Sequence, residues 1–145
     1  MSNQDVTSHK FVAILNKKVD VGKVLNVLAH MTVSLVAQAS TNEDREAMGI
    51  VDYQDRDGSS HKASKNSFVI LQADNGNQIR NARNLAKENG LQFVDFTNTM
   101  QEGTFLEQLD RTRQTAESEL DYYGLVLFGE IEKVNEITRK FSLWR

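Results

Sequence analysis

Val21-Gly22-Lys23-Val24-Leu25-Asn26-Val27-Leu28-Ala29-His30 begins six residues after an apolar run, Phe11 to Leu15. The run has the length and flanks of a buried strand, expected over Lys10 to Leu15. The quoted stretch opens a helix, with Asp20 as its expected N-cap and its end near Ala39. Backbone N–H groups at a helix start have no intrahelical partner and attract anions, and Lys23 adds a full positive charge there. His30 lies seven residues on, two turns away and nearly on the same face. At 100° per residue, Val21, Val24, Leu25, Leu28, Met31, Leu35 and Val36 form a broad apolar face. Lys23, Asn26, His30 and Ser34 form a narrow polar stripe, with Val27 and Met31 beside it. Such a stripe is either a solvated face or the wall of a cleft.

Beyond this helix the pattern keeps alternating. Ser40 to Glu46 reads as a polar loop. Met48 to Tyr53 and Phe68 to Ala73 are strand-like, and the cluster Asp55 to Ser60 between them carries the hairpin signal Asp57-Gly58. Asn75 or Asn77 caps a helix expected over Gln78 to Asn89, closed by Gly90. Leu91 to Phe96 and Tyr122 to Phe128 read as strands, with Tyr122 and Tyr123 at the sheet surface. Glu130 to Phe141 reads as an amphipathic helix, and Phe141 to Arg145 as a docked terminus. Residues 97–121 are polar and helix-compatible, with few apolar anchors. The whole is one domain over residues 1–145, with 1–8 as a flexible tail. The expected fold is a three-layer α/β/α sandwich with a mixed sheet.

Composition narrows the function classes. No cysteine is present, which excludes disulfides and thiolate metal sites and suits a cytoplasmic setting. No signal peptide is evident at Met1 to Lys10, and no run approaches the roughly 20 apolar residues of a membrane span. The net charge is −3, and residues 102–136 hold nine acids against three bases. That balance argues against extensive nucleic-acid contact. The three histidines, His9, His30 and His61, lack metal-ligand spacing, so no metal and no cofactor are expected. Asp95 to Thr99 ends a strand, where ligands of α/β folds gather, although Asp, Thr and Asn also serve as loop caps.

Several segments in order resemble the type II peptidyl-tRNA hydrolases: Val21-Gly22-Lys23, Ala29-His30, Asp95 to Met100, and Leu127 to Glu130 with Val134, Ile137-Thr138 and Leu143. The chain resembles more closely a branch of that superfamily, the domain of unknown function 2000 family, over residues 10–145. The resemblance implies catalytic roles for Lys23, His30, Asp95 and Thr99, and ligand contacts from Gly22, Lys23, Asn26 and Asn98. It also brings Lys23 near Asp95 at one edge of the sheet. Val21 and Val27 stand where the hydrolases carry a lysine and a glutamine, and Asn98 and Met100 where they carry an arginine and a glutamine. The expected function is binding of a small anionic ligand at the start of the first helix. The alternatives are hydrolysis of a small ester or amide and, behind it, of peptidyl-tRNA. The expected partners are a small molecule and, as an assembly, a homodimer, with no membrane.

Overall fold

The structure, a computed structural model, describes residues 7–145. The elements in chain order are β1 (His9–Asn16), α1 (Val21–Gln38), α2 (Asn42–Ala47), β2 (Ile50–Gln54), β3 (Ser60–Ser64), β4 (Phe68–Ala73), α3 (Gly76–Glu88), β5 (Gln92–Thr97), α4 (Phe105–Gln114), β6 (Tyr122–Glu130), α5 (Ile131–Thr138) and β7 (Ser142–Leu143). Five strands form a mixed sheet in the order β5-β6-β1-β4-β7. β1 runs parallel to β4 and antiparallel to β6, and β5 is antiparallel to β6. The C-terminal ends of β1, β4 and β5 therefore share one edge of the sheet, where α1 begins.

Alternation along β1 sorts the core into two layers. Phe11, Ala13 and Leu15 face α1 with Val24, Val27, Met31 and Leu35. Val12 and Ile14 face α3 and α5 with Ile79, Ala82, Ala86, Val134 and Ile137. A strand buried on both faces needs a continuous apolar run, which Phe11 to Leu15 supplies. The three-layer architecture is thus the expected one.

The differences lie in local detail. Asp20 precedes α1, but its side chain makes no capping hydrogen bond. Ser40 to Glu46 is not all loop: Thr41 Oγ1 accepts a hydrogen bond from Asp44 N (3.0 Å) and starts α2. The Asp57-Gly58 turn joins β2 to β3, which form a separate two-stranded arm, while Phe68 to Ala73 enters the main sheet. Asn75 is the cap of α3, accepting from Gln78 N at 3.0 Å. Gly90 follows that helix at φ 66°, a conformation that favours glycine. The C-terminus is docked as β7 on β4, with Trp144 N donating to Ile70 O (3.0 Å). Residues 1–6 of the expected tail lie outside the described residues, and Ser8 O accepts from Ile131 N (3.1 Å).

The largest change concerns α1. Val27 is fully buried, while Val21 and Leu25, assigned to the core face, are more than half exposed. The buried face is narrower than the apolar face and is rotated towards Val27. α1 is long and apolar enough to match a membrane span in length and composition, yet it packs along one side on the sheet.

Candidate functional site

A β-bulge sets up the site. In the β5/β6 ladder Phe96 pairs with Gly124 and Thr97 with Tyr122, leaving Tyr123 as the extra residue. The bulge turns Tyr122 onto the α3 face, where it is fully buried and not at the sheet surface as expected. Tyr123 points the other way, half-buried on the α1 face. Gly124 lies under α1, where a Cβ would come within 3.0 Å of Val27 Cγ1. That close approach seats α1 against β6 and leaves its polar stripe beside β5.

His30 stands on this stripe with its ring 5.8 Å from that of Phe96 on β5. Gln38, two turns further along α1, donates from Nε2 to Phe93 O (3.1 Å) and fixes the helix along that strand. The chain leaving β5 makes a short 3-10 turn, Asn98–Met100, and α4 crosses over it. Between α1, β5, this turn and α4 lies an open cleft of about 340 Å³. Its walls are Phe96, Met100, Phe105 and Leu109, with His30, Gln108 and Thr112 as the polar groups. The size and the apolar lining with a few convergent polar groups are those of a small-molecule site.

A hydroxyl ladder lies behind Thr112. Thr97 and Thr99, both buried, share a hydrogen bond of 2.8 Å between their hydroxyls, and Thr112 Oγ1 lies 2.8 Å from Thr99 Oγ1. Arg111 Nη1 donates to Thr99 O (3.1 Å) and Glu102 O (3.0 Å). These bonds hold α4, which buries no side chain fully. Phe105 and Leu106 are about 70% exposed. α4 is thus a cover fastened by polar bonds on one side and open on the other.

The structure distributes the sequence-derived site residues over several places. His30 lines the cleft, and Thr99 lies behind it through Thr112. Gly22, Lys23 and Asn26 are exposed on α1; Lys23 sits about 10 Å up the helix from His30, from seven residues at 1.5 Å each. Asn98 is a clip: its N–H donates to Asp121 O and its Oδ1 accepts from Asp121 N (2.9 and 3.0 Å). Asp95 is on the opposite face of the sheet. Its Oδ2 lies 2.7 Å from Arg83 Nε on α3. The expected approach of Lys23 to Asp95 is therefore not formed, because Asp95 alternates with Phe96 and so points away from α1. Burial weakens the Arg83 charge, but the Asp95 carboxylate outweighs it and holds the guanidinium proton more firmly than usual. Among the described residues no group of three or more His, Asp or Glu side chains is placed to hold a metal ion.

Sequence reasoning missed Phe96, Met100, Phe105, Gln108, Leu109 and Thr112. One signal was available: residues 105, 108, 109 and 112 repeat at helical spacing inside a segment that reads as polar.

Comparison with known proteins agrees with this architecture. A protein of unknown function from Agrobacterium tumefaciens strain C58, Atu0240, has a similar solved structure, with a TM-score of 0.78 and 20% identity. The match covers 97% of this chain and 100% of that one. At that identity the likeness concerns the fold. No curated protein matches the chain. Residues 9–145 match the family described as Protein of unknown function (DUF2000), and the chain belongs to that family.

Proposed function

We propose that this protein binds a small, largely apolar molecule bearing one negative charge. Its body occupies the cleft between α1, β5 and α4, and its charged end points along the α1 stripe towards Lys23. The observation that carries this reading is the cleft itself: four apolar side chains face three polar ones, and among the described residues nothing hydrogen-bonds the His30 ring. A buried apolar body supplies affinity, and the polar groups set orientation. Lys23 and the helix start add attraction for an anion of about 1 kcal/mol. Lack of a basic tract is consistent with a small ligand in place of a polynucleotide.

Hydrolysis of an ester or amide is a weaker reading of the same groups. A histidine base needs an orienting partner, and Asp95 is held by Arg83 across the sheet. Peptidyl-tRNA hydrolysis has still less support, since the 102–136 segment is acidic overall.

The test uses 8-anilinonaphthalene-1-sulfonate, an aromatic body with one sulfonate, followed by fluorescence on the native protein. Saturable binding is expected, competed by medium-chain carboxylates. Leu109→Glu should abolish it, and Lys23→Met should weaken it roughly fivefold, the equivalent of about 1 kcal/mol. Binding that survives Leu109→Glu would place the probe elsewhere and refute the reading.

A further inference from the structure

We infer, resting on the binding reading above, that the ligand carries a hydrogen-bond donor, a hydroxyl or an N–H, on its apolar body, and that Gln108 and Thr112 select for it. The polar side chains of the cleft come from two helices, His30 from α1 and Gln108 and Thr112 from α4. The two helices differ in what they have left to offer a ligand.

Thr112 has no proton to spare. Its hydroxyl carries one hydrogen, and two acceptors lie at 2.8 Å, Thr99 Oγ1 and the backbone oxygen of Gln108. Whichever of them takes the proton, the Thr112 oxygen keeps at least one lone pair. Thr99 is itself bound to Thr97 at 2.8 Å, and both are buried, so the acceptor is held in place from behind.

Gln108 is oriented by a similar constraint. Its Nε2 donates to Gly103 O at 3.2 Å. A carbonyl oxygen only accepts, so the amide cannot be turned round without losing that bond. Oε1 is left on the other branch of the amide, and among the described residues nothing donates to it. The α4 side chains thus offer two oxygen acceptors against a single remaining amide N–H.

The α1 side has the opposite character. Among the described residues nothing hydrogen-bonds the His30 ring, and even a neutral imidazole keeps one N–H. Lys23, further up the helix, adds an ammonium donor. An anionic end is therefore drawn to α1, and a group with a proton to give is drawn to α4. A carbonyl of the ligand set against the α4 oxygens would bring lone pairs against lone pairs and displace the water that satisfies them. An unsubstituted chain would cover those oxygens without pairing them, at a similar cost.

Competition against 8-anilinonaphthalene-1-sulfonate on the native protein tests this. The competitors are medium-chain carboxylates in matched sets, with a hydroxyl, a keto group or no substituent at successive chain positions. Hydroxyl and keto groups are close in size and differ in the proton. At one position or more the hydroxy acid should compete about fivefold better than its keto partner, the net worth of one hydrogen bond. Thr112→Val or Gln108→Met should cut that preference at least twofold. A variant that merely loosened α4 would weaken both acids alike and leave their ratio unchanged. Equal competition by hydroxy and keto acids at every position overturns the inference, as does a preference that neither variant reduces. If Leu109→Glu abolishes probe binding in the same series, the cleft still binds and only the donor requirement falls. A probe that survives Leu109→Glu removes the binding reading and the donor requirement with it.

Discussion

The two faces of the sheet are built to different standards. On the α3/α5 face the packing is closed. Arg83 reaches across to Asp95 at 2.7 Å, and Arg80 and Arg83 lie over the Tyr122 ring at 5.2 and 5.9 Å. Arg80 also donates to Leu120 O (2.6 Å) and pairs with Glu117 (3.3 Å). On the α1/α4 face a cleft is left open, one helix buries no side chain fully, and another keeps an uncovered apolar seam. Both faces bury an apolar core, and the α1/α4 side adds surface to spare for binding.

Gly76 gives the strongest test of that contrast. It opens α3 directly over β6, where a Cβ would meet Asp121 and lie 2.9 Å from Tyr122 N. The backbone there cannot yield cheaply. Gly76→Val should cost about 3 kcal/mol or more in urea denaturation. A loss below about 1 kcal/mol would show the α3 face to be as forgiving as the other.

Next in size is the ion pair. Both side chains are 23% exposed, so Arg83→Met leaves a largely shielded carboxylate without its partner, at a cost of about 1–3 kcal/mol. The same variant should leave binding of the naphthalenesulfonate probe unchanged, because the sheet separates Asp95 from the cleft. Loss of binding without loss of stability would place Asp95 in the binding machinery after all.

On the open face the balance should reverse. Phe105→Ser should change stability by no more than about 0.5 kcal/mol, as for an ordinary surface site. It should still weaken the probe several-fold, since Phe105 lines the cleft. Stability and affinity measured side by side for Gly76→Val, Arg83→Met and Phe105→Ser map the division directly.

The smallest effect is on pH dependence. Burial holds the Tyr122 hydroxyl proton more firmly than usual, with Asp95 and Glu117 adding to it against Arg83 and Arg80. A tyrosine whose folded pKa is raised favours folding while it is neutral. That contribution is complete below about pH 10 and is lost as pH rises through the unfolded and then the folded value. Urea denaturation between neutral and alkaline pH should show a decline that Tyr122→Phe flattens. An unchanged slope in the variant would remove Tyr122 as its source.

Much of the frame was legible in the chain. Phe11 to Leu15 marked a strand buried on both faces, because only such a strand tolerates five apolar residues in a row. Asn75 or Asn77 and Gly90 mark the ends of α3 through local backbone chemistry, of which the structure uses Asn75, and Phe141 to Arg145 reads as a docked terminus. Lys23, Asn26, His30 and Ser34 were correctly grouped on one side of α1, since helical spacing is a property of the local chain. Local patterns state which residues share a face. They do not state how wide a buried face is: α1 carries more apolar residues than the sheet covers, and Val27, not Leu25, proved central.

The rest was decided by contacts between distant segments. Whether Asp95 meets Lys23 or Arg83 depends on the direction in which a strand residue points, and that follows from β5 lying antiparallel beside β6. One extra residue, Tyr123, then sends neighbouring side chains to opposite faces. The cleft around His30 exists because α4 crosses a turn more than 60 residues later in the sequence. Composition and periodicity determined the layers, since they act through local geometry and burial. Register, the bulge and the crossing of α4 determined the site, since they depend on which segments meet.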